Sequence, residues 1–151
     1  MNDNKVELID LNYLGTPDTI PVYFFRHRDG AAIIDCGPGT TVPMLGKALQ
    51  ERGYQYRDIT DVLITHIHLD HAGAAGFLAT KGATIHVHPL GAKHLINPGK
   101  LLDSAKRIYG DKMDALWGDF LPVPEERIHI VEDEEEITVG DLNIKAYYTP
   151  G

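Results

Sequence analysis

The stretch THIHLDHAG, residues 65–73, determines how the rest of this chain is interpreted. It holds His66, His68, Asp70 and His71 within six residues. It directly follows an apolar run, residues 61–65, that predicts a buried strand. Imidazole nitrogen and carboxylate oxygen are ligands that suit zinc and neighbouring divalent metals. The stretch therefore predicts a metal site at the end of a strand.

Length and charge limit the classes of partner. The chain has 151 residues, a formal charge of −8 and 43% hydrophobic residues, which predicts one globular domain over residues 1–151. The negative charge disfavours long-range attraction to nucleic acid or to an anionic membrane. Lys100, Lys106 and Arg107 are the nearest approach to a basic cluster, and we interpret them as a solvated helix face. We therefore expect no nucleic acid and no membrane among the partners.

The single cysteine, Cys36, excludes an internal disulfide and fits a reducing compartment. It ends an apolar run, where a small thiol usually packs, so we interpret it as a core residue rather than a nucleophile. The N-terminus has no signal-peptide pattern, and no apolar window is long enough to span a membrane. These features favour a cytoplasmic protein.

Periodicity and turn residues predict an α/β fold with a mixed sheet and covering helices. Three antiparallel strands are expected at residues 6–11, 22–25 and 31–35. A glycine-rich turn and a helix then lead to the strand at residues 61–65, which is the order of a βαβ unit and implies parallel pairing. We also expect a helix at residues 72–81, a turn of helix at residues 91–96 and a helical region at residues 101–120 that Gly110 divides. The remaining strands are expected at residues 84–88, 127–131, 136–139 and 142–148.

Three other features of the sequence each have a functional and a structural interpretation. His86 and His88 alternate with apolar residues and are either metal ligands or a polar strand face, of which we favour the second. The acidic run at residues 132–136 is interpreted as a solvated turn rather than a cation site. The turn Gly37-Pro38-Gly39 lacks the spacing of a phosphate-binding loop.

The loop at residues 65–73 resembles the H-x-H-x-D-H signature of the metallo-β-lactamase fold superfamily. The strand end at residues 33–39, IIDCGPG, resembles the earlier aspartate-glycine element of the same superfamily. The resemblance implies half of an αββα sandwich that holds two metals side by side. It implies that His66 and His68 bind the first metal, and that Asp70 and His71 bind the second.

The resemblance also implies chemistry. Two zinc ions per complete site are expected, with iron or manganese as other candidates, and Asp35 would orient the histidine loop without binding metal. A hydroxide shared by the metals would attack the substrate, while Asp70 would orient that hydroxide and help protonate the leaving group. The branch most resembled is the glyoxalase II-like hydrolases, so we expect a small ester, thioester or lactone as substrate.

Residues 149–151 are Thr-Pro-Gly, which resembles a run that in the family is followed by the third histidine of the first metal site. The sequence ends at Gly151, so we expect it to be the N-terminal portion of a metallohydrolase, truncated before that histidine. We also expect an exposed sheet edge that allows oligomer formation. The alternative is a non-catalytic remnant or interaction module that retains half of the metal site.

Overall fold

The structure, a computed structural model, describes residues 5–150, so Gly151 of the Thr-Pro-Gly run lies outside the described residues. The strands are β1 (Glu7–Asp10), β2 (Pro21–His27), β3 (Gly30–Ile34), β4 (Ile59–Leu63), β5 (Thr84–Val87), β6 (Ile128–Ile130), β7 (Glu136–Val139) and β8 (Leu142–Lys145). The α-helices are α1 (Val42–Glu51), α2 (Leu69–Ala72), α3 (Ala75–Thr80), α4 (Pro89–Ile96), α5 (Gly99–Tyr109) and α6 (Met113–Trp117).

Six strands form one mixed sheet in the order β1-β2-β3-β4-β5-β6. The pairs β1–β2 and β2–β3 are antiparallel, and the pairs from β3 to β6 are parallel. This arrangement confirms the predicted meander followed by βαβ units. Because β3 and β4 are adjacent and parallel, the loops that follow them emerge at the same edge of the sheet.

The two faces of the large sheet are covered differently. On one face, Leu45 of α1 and Leu78 of α3 are fully buried in a core that includes Ile33 and Val62. On the other face, β7 and β8 form an antiparallel hairpin whose buried side chains belong to a second, smaller cluster. This cluster comprises Phe25, Ala32, Val131, Ile137 and Val139. The hairpin therefore forms a separate layer over part of the sheet.

Several predicted element boundaries were wrong, and the strand expected at residues 142–148 ends at Lys145. The strand expected at residues 61–65 is β4, Ile59–Leu63, so the histidine loop begins beyond the sheet and not within it. The single helix expected at residues 72–81 is divided into α2 and α3. The division occurs because the amide of Ala74 donates to the carbonyl of Gly37, at 2.9 Å, instead of continuing the first helix.

No helix within residues 5–150 is both long and apolar enough to cross a membrane.

Candidate metal centre

Asp35 joins both ends of the histidine loop to the sheet. It directly follows β3 and has a positive φ of 59°, a conformation that is uncommon for a residue with a side chain. Its carboxylate accepts hydrogen bonds from the Thr65 amide at 2.8 Å, the Thr65 hydroxyl at 2.8 Å and His71 Nδ1 at 2.8 Å. These contacts confirm the prediction that Asp35 orients the loop.

The hydrogen bond to Asp35 fixes which nitrogen of His71 is free. Since a carboxylate accepts and does not donate, Nδ1 carries the proton, and the lone pair of a neutral ring lies on Nε2. This Nε2 lies 3.3 Å from Asp70 Oδ2. Two ligands about 2.0 Å from a tetrahedral zinc ion lie about 3.3 Å from each other. The Asp70–His71 pair therefore fits a shared metal ion.

The three histidines of the loop lie together. The ring centroids of His66 and His71 are 3.9 Å apart, and those of His66 and His68 are 4.8 Å apart. Burial, followed by the charges of His71 and His68, lowers the pKa of His66 below its ordinary value. A lowered pKa keeps the imidazole neutral at physiological pH, which is the form that binds metal.

The donors of the loop fit a metal centre in part. The rings of His68 and His71 both lie near that of His66, Asp70 lies beside His71, and His71 contacts Asp35. Within residues 5–150, however, no group of three or more histidine, cysteine, aspartate or glutamate side chains is arranged to hold a metal ion. The assignment of His66, His68, Asp70 and His71 as metal ligands therefore stays a prediction.

Cys36 contacts the backbone of the histidine loop. Its amide donates to the carbonyl of His71 at 2.9 Å, and its Sγ lies 3.3 Å from the same oxygen. The residue is fully buried, and burial together with the neighbouring Asp35 raises the pKa of the thiol far above its ordinary value. Because the thiolate is the nucleophilic form, this environment agrees with a packing role for Cys36.

Other histidines lie away from the loop. His86 is buried, and its Nε2 lies 2.7 Å from Asp61 Oδ1. His88 Nδ1 accepts a hydrogen bond from the Leu90 amide, and its ring stacks on Tyr148 with centroids 4.4 Å apart. Neither residue pairs with any of the four predicted ligands in these contacts. This agrees with the preferred interpretation, in which they form a polar face and do not bind metal.

Sequence reasoning missed three polar residues that organise this part of the molecule. Thr65 binds Asp35 through its amide and its hydroxyl. His129 Nδ1 lies 2.8 Å from His86 Nδ1, and its Nε2 lies 2.8 Å from Glu135 Oε2. The interpretation of residues 132–136 as a solvated turn is therefore wrong for Glu135. The signal available in the sequence was His129, in the strand predicted at residues 127–131, but the register in which that strand pairs with its neighbour was unknown.

A cavity of about 670 Å³ lies between the large sheet and the β7–β8 hairpin. His66 and Ile67 of the histidine loop contribute to its wall, as do His86, Ile144 and Tyr148. The cavity therefore places open space beside a predicted metal ligand.

Comparison with known proteins gives one family. Residues 15–151 match the profile of the metallo-beta-lactamase superfamily. A ribonuclease Z of Lachnospira eligens is 26% identical over 151 aligned positions, which cover 93% of this chain and 44% of the relative. The chain thus spans less than half the length of this curated relative.

Solved structures share the fold. A subclass B3 metallo-beta-lactamase from a soil metagenome, MEM-A1, matches with a TM-score of 0.68 and 27% identity, covering 87% of this chain and 47% of that protein. A metallo-beta-lactamase family protein of Thermus thermophilus matches with a TM-score of 0.73 and 21% identity, covering 97% and 52% respectively. The second match supports the fold alone.

These comparisons correct the predicted partners. We expected a small ester or thioester substrate and no nucleic acid, whereas the ribonuclease Z relatives are named for cleavage of RNA. The expectation of no nucleic acid relied on the net charge of −8, and the expectation of a small ester relied on the resemblance to glyoxalase II-like hydrolases. Net charge describes the average field of the chain and not the field at any one site.

Proposed function

This chain belongs to the metallo-β-lactamase superfamily, and from that premise we propose that its histidine loop is part of the centre of a metal-dependent hydrolase acting on phosphodiester bonds of RNA. The similarity to ribonuclease Z supports RNA as the substrate class. The observation that carries the proposal is the Asp35–His71–Asp70 arrangement, with separations of 2.8 and 3.3 Å. Such an arrangement suits a histidine held in one tautomer for metal binding.

We propose zinc as the metal, because neutral imidazoles and a carboxylate are the donors present, with iron and manganese as the other candidates. His66 and His68 would hold one ion, and Asp70 and His71 the other. When bound, such ions lower the pKa of a water molecule and polarise the phosphoryl group under attack. Donors from protein outside residues 5–150 would complete the coordination, which agrees with the chain spanning 44% of its ribonuclease Z relative.

The residues of this chain have distinct tasks in the proposal. Asp35 keeps the proton of His71 on Nδ1 and thereby aims Nε2 at the site. Asp70 Oδ2, beside that nitrogen, would bind the metal, which leaves the other carboxylate oxygen to accept a proton from the attacking water and return it to the leaving oxygen. The low pKa of His66 favours metal binding without prior loss of a proton.

The experiment is a substrate panel assayed with the protein at the length in which the cell makes it, loaded with zinc. The panel contains a structured RNA, bis(p-nitrophenyl) phosphate, a thioester and a chromogenic β-lactam. We expect hydrolysis of the two phosphodiesters, and a loss of about 100-fold or more in Asp70→Asn. Asp103→Asn, an exposed substitution on α5, is the matched control.

Two results would contradict the proposal. Turnover of the thioester or the β-lactam without phosphodiester cleavage would assign a different substrate class. A metal-loaded protein that hydrolyses no member of the panel would favour the non-catalytic alternative.

A further inference from the structure

The hydroxyl of Thr65 contacts two side chains of the proposed metal centre. Thr65 Oγ1 lies 2.9 Å from Asp35 Oδ1, 2.8 Å from Asp35 Oδ2 and 3.0 Å from His66 Nδ1. It therefore stands between the carboxylate that orients His71 and the ring of a second predicted ligand.

The backbone around Thr65 fixes the position of this hydroxyl. The Asp35 amide donates to the Leu63 carbonyl at 2.9 Å, and the Ile64 amide donates to the His86 carbonyl at 2.9 Å. These contacts continue the hydrogen bonding of the parallel sheet up to the residue before Thr65. The Thr65 amide then donates to Asp35 Oδ1 at 2.8 Å. The threonine is thus attached to Asp35 by its main chain as well as by its side chain.

The proton of the hydroxyl has only one favourable direction. A hydroxyl has a single proton to donate, and an ionised carboxylate accepts hydrogen bonds but does not donate them. Asp35 also accepts from the Thr65 amide and from His71 Nδ1, so donors surround it. If the hydroxyl donated to His66 instead, its lone pairs would face the carboxylate oxygens at 2.8 and 2.9 Å. The hydroxyl therefore donates to Asp35 and accepts from His66 Nδ1.

This direction determines which nitrogen of His66 carries the proton. Because the hydroxyl accepts at Nδ1, a neutral His66 ring has its proton on Nδ1 and its lone pair on Nε2. His71 has the same tautomer because its Nδ1 contacts Asp35 directly. One carboxylate thus sets the tautomer of His71 by contact and that of His66 through the Thr65 hydroxyl.

The surroundings of His66 make this contact important. Thr65 and His66 are both exposed, whereas Asp35 is only 6% exposed. Without a partner at Nδ1, an exposed imidazole can rotate and can carry its proton on either nitrogen. The Thr65 hydroxyl limits both freedoms, since its own oxygen is held by a buried side chain. Metal-binding histidines commonly have such a partner for their second nitrogen.

We propose that Thr65 is a positioning residue, which holds His66 with its proton on Nδ1 and leaves Nε2 to bind the ion shared with His68. The proposal rests on the proposed function in taking His66 as a metal ligand. The role is separate from attachment of the loop to the sheet, because the Thr65 amide still binds Asp35 when the hydroxyl is removed. It also concerns one ring, since His71 contacts Asp35 without the help of Thr65.

The first test is side-chain ¹⁵N NMR of the metal-free chain at about pH 8, where most imidazoles are neutral. We expect the proton on Nδ1 in both His66 and His71. Thr65→Val, which removes the hydroxyl, should give a mixture of His66 tautomers and leave His71 unchanged, and Thr65→Ser should restore the wild-type pattern. An unprotonated Nδ1 in wild-type His66 would overturn the proposal, and this result needs no variant to fold. An unchanged His66 tautomer in Thr65→Val would also overturn it.

The second test is the zinc affinity of the chain, measured by competition with a chelating dye. We expect Thr65→Val to bind zinc about tenfold more weakly, and Thr65→Ser to stay within about twofold of wild type. Thr80→Val is the control, because Thr80 is exposed and its hydroxyl binds the Phe77 carbonyl of its own helix. Equal affinities in Thr65→Val and Thr80→Val would overturn the proposal.

The two tests separate this inference from the proposed function. A wild-type chain that binds no zinc would count against the proposed metal centre. The tautomer measurement is made on the metal-free chain, so it would still decide the role of Thr65.

Discussion

His71 Nδ1 lies 2.8 Å from Asp35 Oδ2, and this hydrogen bond joins the end of the histidine loop to the residue that follows β3. The same carboxylate binds Thr65 at the start of the loop. The loop is thus held at both ends by one buried side chain, before any metal is considered.

Asp35→Asn should weaken zinc binding because it removes the negative charge that stabilises the His71 tautomer. Loss of such a supporting contact typically lowers metal affinity by about 10- to 100-fold. The measurement is the zinc dissociation constant of the chain by competition with a chelating dye. Asp103→Asn controls for the change of an aspartate to asparagine, and equal affinities in the two variants would show that Asp35 does not support the site.

Gly73→Ala should destabilise the fold at the end of the histidine loop. A Cβ at this position would lie 2.5 Å from the Leu69 carbonyl oxygen and 2.6 Å from Pro38 Cα, and both are backbone atoms that cannot turn aside. We expect a loss of about 1–3 kcal/mol in the free energy of unfolding, measured by urea denaturation.

Gly99→Ala is the control, because its Cβ would meet only Asn97 Oδ1, at 3.4 Å. We expect a change within about 0.5 kcal/mol for this substitution. A Gly73→Ala protein as stable as Gly99→Ala would mean that the loop and the turn before α1 are less closely packed than described.

Glu7→Gln should reduce stability at neutral pH but not in acid. Hydrogen bonds from Arg26 and Arg52 hold the pKa of Glu7 below its ordinary value of 4.5. A carboxyl whose pKa is lowered by folding contributes stability above its unfolded pKa, and this contribution is lost as the pH falls through the folded value. The difference between wild type and Glu7→Gln should therefore be largest near neutrality and shrink below pH 4.5.

Urea unfolding at a series of pH values checks this prediction. Glu51→Gln, an exposed substitution on α1, should show no such pH-dependent difference. A constant difference between wild type and Glu7→Gln at every pH would attribute the effect to packing and not to charge.

The histidine loop could be predicted from sequence because its donors are adjacent in the chain. A preceding strand and a turn are enough to bring His66, His68, Asp70 and His71 close together. The role of Asp35 could also be predicted, since parallel strands that neighbour each other bring their ends to one edge of the sheet. The boundaries of β4 and α2 were predicted less well, because the Ala74–Gly37 contact that divides the helix is not local.

The Asp61–His86–His129–Glu135 network could not be predicted in the same way. His86 and His129 are 43 residues apart and meet only because β5 and β6 pair with a register that sets them opposite each other. Glu135 belongs to an acidic run whose composition indicates solvent exposure, and only the fold distinguishes this member from its neighbours. Contacts of this kind depend on strand register, which residue types do not specify.

A zinc titration of the 151-residue chain, followed by side-chain NMR of its eight histidines, tests whether the histidine loop binds metal. We predict that the resonances of His66, His68 and His71 shift together, that those of His86 and His129 do not, and that fewer than one tightly held zinc ion remains per chain after dialysis. Zinc that perturbs other histidines and leaves the loop unchanged would contradict metal binding by the loop, and two tightly held ions per monomer would contradict the proposal that donors outside residues 5–150 complete the coordination.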